Sequence, residues 1–145
     1  MHLFRYIPWL IKEIFVSGFH VATAAFNPSS AYRPMVVRYP LRVTTDWEIF
    51  WFSTSITATP STLSLGLRAP SEPGGPRILL VQDAFGGDPA EITRGLADME
   101  ERMQPKVKGI DHGVPGQGSA EELDPKFYDY TSPGWEPSAE RKYAR

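Results

Sequence analysis

The chain contains 145 residues, a length typical of one domain, and its 15 basic and 17 acidic side chains leave it nearly neutral. A protein that binds nucleic acid normally presents a basic face, so this balance argues against nucleic acid as a partner. The sequence has no cysteine, which excludes disulfide bonds and thiolate metal sites, and its histidines lack the spacing of a helical metal site. We therefore expect neither a metal nor a cofactor.

Residues 1–27 form an apolar run that predicts a membrane-associated helix, either crossing the bilayer or lying in its interface. About 20 helical residues extend ~30 Å, which is the thickness of the hydrocarbon core. On a helical projection, Glu13, Ser17 and His20 form a narrow polar strip within a wide apolar surface. Because an unpaired charge inside a bilayer costs ~3 kcal/mol or more, we expect this polar strip to be covered by neighbouring subunits.

Two interpretations of the polar strip compete. Glu13 and His20 lie on one face of the helix, where they could belong to a proton or cation path. Alternatively, the strip forms hydrogen bonds to neighbouring helices, or Lys12 and Glu13 extend towards an interface. The second interpretation is favoured because a single helix cannot build a conducting path alone. A signal peptide is disfavoured because Lys12 and Glu13 interrupt the apolar core.

A linker at residues 28–34 precedes a predicted α/β domain at residues 35–104. The elements of this domain follow the order β-α-β-β-α, which predicts a three-stranded sheet whose last two strands form a hairpin. In the first strand, Arg38 and Arg42 alternate with apolar residues, so we expect the two arginines to share the face opposite the core. The whole chain is therefore predicted to be an α+β membrane subunit.

The first helix of this domain is apolar on nearly all sides. Thr45 and Glu48 have the spacing of a capping box at its start, and Trp47, Phe50 and Trp51 follow within two turns. A three-stranded sheet covers only one side of a helix, so we expect the other side to meet a partner protein or the membrane surface. The alternative is that the last helix and the tail cover it.

The sequence from residue 105 onward is rich in proline and glycine and shows no hydrophobic periodicity. Residues 105–145 therefore predict a tail that is either disordered or extended along a partner. Its aromatic residues, which include Phe127, Tyr128 and Trp135, suit an arm that docks on a neighbouring subunit.

The motifs of known active sites are missing from the sequence. The two glycines of FGGDPAE precede a helix, but they match neither of the common phosphate-binding glycine motifs, so a plain turn is expected. The pair Glu100–Glu101 is typical of a solvated surface. We expect the protein not to be an enzyme.

Four segments follow one another in an informative order: RYIPWLIKEIFVSGFHVA, YRPMVVRYPLRVTTDWEIFWFSTSITATPSTLSL, RILLVQDA and the helix that begins DPAE. Together they resemble the E subunit of the multisubunit Mrp-type cation/proton antiporters of prokaryotes, over about residues 4–104. That family has a motif close to S-I-T-L-T-P-G-T-L, and this chain has SITATPSTL at residues 55–63.

The resemblance implies a subunit of a sodium/proton antiporter complex in a prokaryotic cell membrane, with the α/β domain and the tail on the cytoplasmic side. In that family, cation and proton handling is attributed to the large subunits. The resemblance therefore implies a non-catalytic role in assembly, with the other antiporter subunits and the lipid bilayer as partners. The sequence departs from the family in three ways. It starts at the third apolar segment of the family, so that either the N-terminus was lost or one helix alone is the anchor; Ser61 replaces a glycine, which predicts a turn that differs or is strained; and the tail after Met103 is longer.

We therefore predict an accessory antiporter subunit, and the alternative is a membrane-tethered cytoplasmic α/β module that binds a ligand or regulates another protein. The aromatic helix distinguishes the two, because an isolated module would expose too much apolar surface. The residues expected at partner or membrane interfaces are Trp9, Glu13, Ser17, His20, Trp47, Phe50, Trp51, Phe127, Tyr128 and Trp135.

Overall fold

The computed structural model describes residues 3–26 and 33–130. These residues form an α+β fold of three helices and four strands. The helices are α1 (Leu3–Ala25), α2 (Asp46–Ala58) and α3 (Pro89–Met103), and the strands are β1 (Met35–Pro40), β2 (Thr62–Arg68), β3 (Ile78–Asp83) and β4 (Tyr128–Tyr130).

The four strands form one antiparallel sheet in the order β2-β3-β1-β4. The predicted hairpin of β2 and β3 is confirmed. Alternate residues of the central strands, Met35, Val37 and Tyr39 in β1 and Leu79 and Val81 in β3, are fully buried. Both α2 and α3 contact the sheet, and their buried residues join these strand residues in one core.

The prediction of a three-stranded sheet followed by a loose tail is wrong for the part of the tail that the structure describes. Residues 105–130 return across the domain and contribute β4, which pairs with Met35–Val37 at the edge of the sheet. Val107, Val114 and Leu123 are buried in the core along the way. Single apolar residues separated by glycine and proline leave no periodic signal, so the sequence concealed a segment that packs without forming a long helix or strand.

The predicted solvent positions of Arg42 and of Glu100 in α3 are also wrong, because the two side chains are buried beside each other. Arg42 Nε lies 2.7 Å from Glu100 Oε2, and its other nitrogens donate to Glu101 Oε1 at 2.8 Å and Ala97 O at 2.7 Å. Glu100 also accepts hydrogen bonds from the Tyr39 hydroxyl and from the backbone N–H groups of Arg42 and Val43. β1 ends at Pro40, so the alternation that was assumed for Arg42 no longer applies.

The capping box at the start of α2 is confirmed. The Thr45 hydroxyl accepts from the backbone N–H of Glu48, whose carboxylate accepts from the backbone N–H of Thr45. Asp88 caps α3 in a similar way by accepting from the N–H of Ala90. These caps fix where both helices begin, and therefore which of their residues face the sheet.

The turn between α2 and β2 is strained, as the serine in the family motif predicts. Ser61 has a φ of 84°, which makes it the one residue other than glycine with a positive φ in the described part of the chain. An L-residue with a side chain is disfavoured in this region by contact between its Cβ and the backbone.

We expect Ser61→Gly to stabilise the fold by about 1 kcal/mol, because glycine adopts a positive φ without this cost. Urea unfolding monitored by tryptophan fluorescence measures the change. The matched control is Ser64→Gly within β2, which should destabilise by a similar amount because glycine weakens a strand interior. A destabilised Ser61→Gly variant would contradict the assignment of strain to this turn.

Glu100→Gln should destabilise the fold by about 3 kcal/mol or more, because it leaves a buried guanidinium without its main counter-charge. The control is Glu101→Gln, whose carboxylate also contacts Arg42 but is 29% exposed, and it should cost about 1 kcal/mol or less. Equal effects of the two substitutions on the urea midpoint would show that the buried pair is not the main link between β1 and α3.

Stability should fall as the pH rises above about 10, the ordinary pKa of tyrosine. Burial and the charge of Glu100 raise the pKa of Tyr39, so the folded chain keeps a proton that the unfolded chain releases. The slope should approach about 1.4 kcal/mol per pH unit for this residue. Urea midpoints of the native chain and of Tyr39→Phe, measured from neutral to alkaline pH, should converge as the pH rises. Parallel curves would refute this linkage.

Candidate interaction surfaces

One side of α1 packs against the rest of the fold. Tyr6 is 2% exposed and belongs to the core, and Trp9 lies half-buried beside it with ring centroids 5.8 Å apart. The guanidinium of Arg102, on α3, lies 4.9 Å from the centroid of the Trp9 ring, a cation–π contact. Further along α1, a Cβ on Gly18 would lie 3.6 Å from Pro60 in the turn after α2. These contacts hold α1 sideways against the domain over several turns.

Two residues of the polar strip, Glu13 and Ser17, lie on this inner side. Glu13 and Ser17 are half-buried, and the Ser17 hydroxyl donates to Glu13 O at 2.6 Å. Asp98, hydrogen-bonded to Arg102, raises the pKa of the Arg102 guanidinium, and the negative charge of Glu13 adds to this effect. His20 is exposed. Glu13 and Ser17 therefore lie towards the domain, whereas His20 does not.

The opposite side of α1 presents a row of exposed apolar side chains, which we call the outer row. None of the side chains in the outer row is charged. Its members and their exposed fractions are Phe4 (96%), Ile7 (44%), Ile11 (51%), Phe15 (75%) and Phe19 (72%). A helix in water normally buries such residues, so the outer row is a candidate contact surface.

The sequence left open whether this first helix crosses the bilayer or lies in its interface. Within residues 3–26 and 33–130, the structure contains no helix with the length and apolar character that a membrane crossing requires.

A second apolar surface lies on α2, as the sequence predicted. Ile49, Phe52 and Ile56 face the sheet and are buried. Trp47 and Phe50 point outward with 61% and 53% of their surfaces exposed, and their rings stack with centroids 5.7 Å apart.

Trp51 completes this second surface, which we call the aromatic trio: Trp47, Phe50 and Trp51. The Trp51 ring is half-buried and meets the rings of Trp47 and Phe50 edge-on, at centroid distances of 5.8 and 6.0 Å. The alternative that α3 and the tail cover this side of α2 does not hold for Trp47 and Phe50, which remain exposed.

The aromatic residues expected to dock on a neighbour from the tail have a different position. Phe127 and Tyr128 are half-buried against this chain's own core. The backbone of Tyr128 pairs with Val37 of β1, and the Lys126 ammonium lies 5.0 Å from the centre of the Phe127 ring. Trp135 lies outside the described residues.

No three histidine or carboxylate side chains in the described ranges lie close enough to hold a metal ion. A depression beside α2 is shallow and open, with a wall formed by Ser53, Thr54, Thr57, Ala58 and Ser64. The hydroxyls of Ser53 and Thr57 donate to carbonyls of their own helix.

Two features of these surfaces were not predicted from the sequence. Phe4, Phe15 and Phe26 are spaced by eleven residues, which is about three helical turns and places them on one line. The contact of Arg102 with α1 is the second, because sequence spacing alone does not show which helices of a fold meet.

Comparisons with known proteins agree on one family. A family model described as Na+/H+ ion antiporter subunit matches residues 1–84, more than half of the chain. The E subunit of the Na(+)/H(+) antiporter of Bacillus subtilis (strain 168) is 33% identical over 100 residues, which are 69% of this chain and 58% of that protein. The protein of the same name from Alkalihalophilus pseudofirmus is 29% identical over 63 residues, 43% of this chain and 40% of that protein.

A solved structure agrees with these sequence matches. One chain of the Mrp complex from Dietzia sp. DQ12-45-1b superposes with a TM-score of 0.56 at 30% identity, covering 72% of this chain and 94% of that chain. This chain spans less than three fifths of the length of the two curated relatives. The family model covers more than half of the chain, and the Bacillus relative is 33% identical over 69% of it. The chain therefore belongs to the family of Na+/H+ antiporter E subunits.

Proposed function

We propose that this chain is a non-catalytic accessory subunit of a multisubunit Na+/H+ antiporter in a prokaryotic cell membrane. Its role is to hold the complex together through protein contacts made by the aromatic trio. The relatives are named as antiporter subunits, and the matching structure is of an Mrp complex. The observation that carries the proposal is the exposure of Trp47 and Phe50 on a helix whose other side is fully packed.

The chemistry of the aromatic trio suits a protein partner. Tryptophan and other large aromatic residues dominate the binding energy of protein interfaces, and they act best as clusters surrounded by polar residues. The trio is bordered by Asp46 and by the hydroxyls of Ser53 and Thr54 on the same helix. Burying most of two exposed aromatic rings contributes about 3 kcal/mol or more to association, before the costs of ordering.

The proposed cytoplasmic position of the domain is supported by the basic residues of α1 and of the segment after it. Arg5 and Lys12 lie on α1, and Arg33 lies in the linker that follows. Cytoplasmic segments of membrane proteins carry an excess of lysine and arginine close to the membrane. A ligand-binding or regulatory module remains the second candidate, but the shallow depression beside α2 does not favour it, because small-molecule sites are normally concave and enclose the ligand.

The test is affinity purification of the tagged chain from its own membranes in mild detergent, followed by mass spectrometry. The native chain should recover large antiporter subunits. Trp47→Gln and Phe50→Gln should each lower that recovery about tenfold, because each removes a large apolar contact at the centre of the interface.

The matched control is Leu67→Gln, a similarly exposed apolar residue on edge strand β2, which should leave the recovery unchanged. Both kinds of variant alter exposed side chains and should keep the native urea midpoint. Full recovery of the antiporter subunits with Trp47→Gln and Phe50→Gln would refute the trio as the assembly contact.

A further inference from the structure

We propose that α1 is an in-plane membrane anchor, whose outer row enters the interface of a bilayer that contains anionic lipids while its inner side holds the domain. The proposal concerns a different surface and a different partner from the assembly contact of the aromatic trio. It rests on three observations: the sideways packing of α1, the line formed by its exposed apolar residues, and the distribution of its charges.

The sideways packing sets the direction of α1 relative to a membrane. Contacts with the domain occur at Tyr6, at Trp9 and again at Gly18, which lie along ~18 Å of helix at 1.5 Å per residue. A helix that crosses a bilayer has its soluble domain beyond one end, because the hydrocarbon cannot accommodate charged residues such as Arg102 and Asp98 beside the helix. With this packing, α1 meets a membrane along its side.

The exposed apolar residues project away from Tyr6, Trp9 and Glu13, and Gly18, which meets Pro60, projects at the edge of this group beside Ile7. At 100° per residue, Phe4, Ile11 and Phe15 fall within about 40° of one another and about 180° from Glu13. All three are exposed, whereas Glu13 is half-buried on the inner side. An interfacial helix has this arrangement, with an apolar line that enters the boundary between headgroups and acyl chains by about 5–10 Å.

The charges of α1 favour an anionic lipid surface over an apolar protein surface. Arg5 and Lys12 are both exposed, lie about 20° apart on the projection and border the outer row at about 90° from its centre. Glu13, the single acidic residue in the α1 sequence, is half-buried on the inner side. Apart from His20 and Thr23, the described exposed residues of α1 are therefore basic or apolar, which is the composition that binds anionic headgroups.

The first experiment measures binding of the full chain to lipid vesicles by co-sedimentation. Binding should be strong to vesicles that contain phosphatidylglycerol and weaker to vesicles of phosphatidylcholine alone. Phe15→Gln and Phe19→Gln should each lower the partition coefficient about tenfold, because each removes a phenyl ring from the apolar boundary. Lys12→Gln should lower it about fivefold, and on the anionic vesicles only.

The matched control is Phe50→Gln, which removes an exposed phenyl ring from the aromatic trio and should leave vesicle binding unchanged. No binding to either vesicle, or binding that Phe15→Gln does not alter, overturns the proposal. The vesicles hold no other antiporter protein, so this failure would leave the assembly role intact. Loss of co-purifying antiporter subunits in Phe15→Gln, with normal vesicle binding, would show instead that the outer row contacts protein.

The second experiment distinguishes an in-plane helix from one that crosses the bilayer. Because the chain has no cysteine, Phe4→Cys, Phe15→Cys and Ala22→Cys each provide a single labelling site on the outer side of α1. Depth-dependent quenching of a fluorophore at the three sites should give one shallow depth. Positions 4 and 15 would differ by ~16 Å in a helix along the bilayer normal, at 1.5 Å per residue. Such a gradient overturns the proposal.

Discussion

The contact of α1 with α3 determines which side of α1 faces the domain and which side chains of α1 stay exposed. Tyr6 enters the core and Trp9 lies against Arg102, and these contacts fix which side of α1 faces the domain. Phe15 and Phe19 are left exposed on the other side, where a helix of a water-soluble domain normally carries polar residues. The outer row therefore favours an apolar environment outside the domain.

The position of α3 in turn depends on the buried ion pair of Arg42 and Glu100. Two charges removed from water are costly unless every remaining hydrogen-bonding group is satisfied, and here the carboxylate of Glu100 has four donors and the guanidinium has three acceptors. Such a network specifies one register between the end of β1 and the last turns of α3. Because Arg102 lies two residues beyond Glu100, the same register places it over Trp9.

Local sequence signals predicted the elements of the fold well. The capping box of Thr45, the cap of Asp88 and the β2–β3 hairpin are each determined by a few neighbouring residues, and all three were found. The partners of charged residues were not predictable in this way, since the burial of Arg42 depends on a glutamate 58 positions along the chain. The polar strip of α1 was recognised, but a helical projection shows only that a side is polar, not which helix covers it.

Photo-crosslinking in native membranes tests at once whether the chain contacts lipid through α1 and protein through α2. A photoreactive phenylalanine analogue placed at position 15 should yield lipid adducts, and the same group at position 50 should yield an adduct with another protein of the antiporter. Phe15 and Phe50 are both exposed aromatic residues, so the substitution is equally mild at the two sites. Protein adducts from position 15, or none from position 50, would contradict the account.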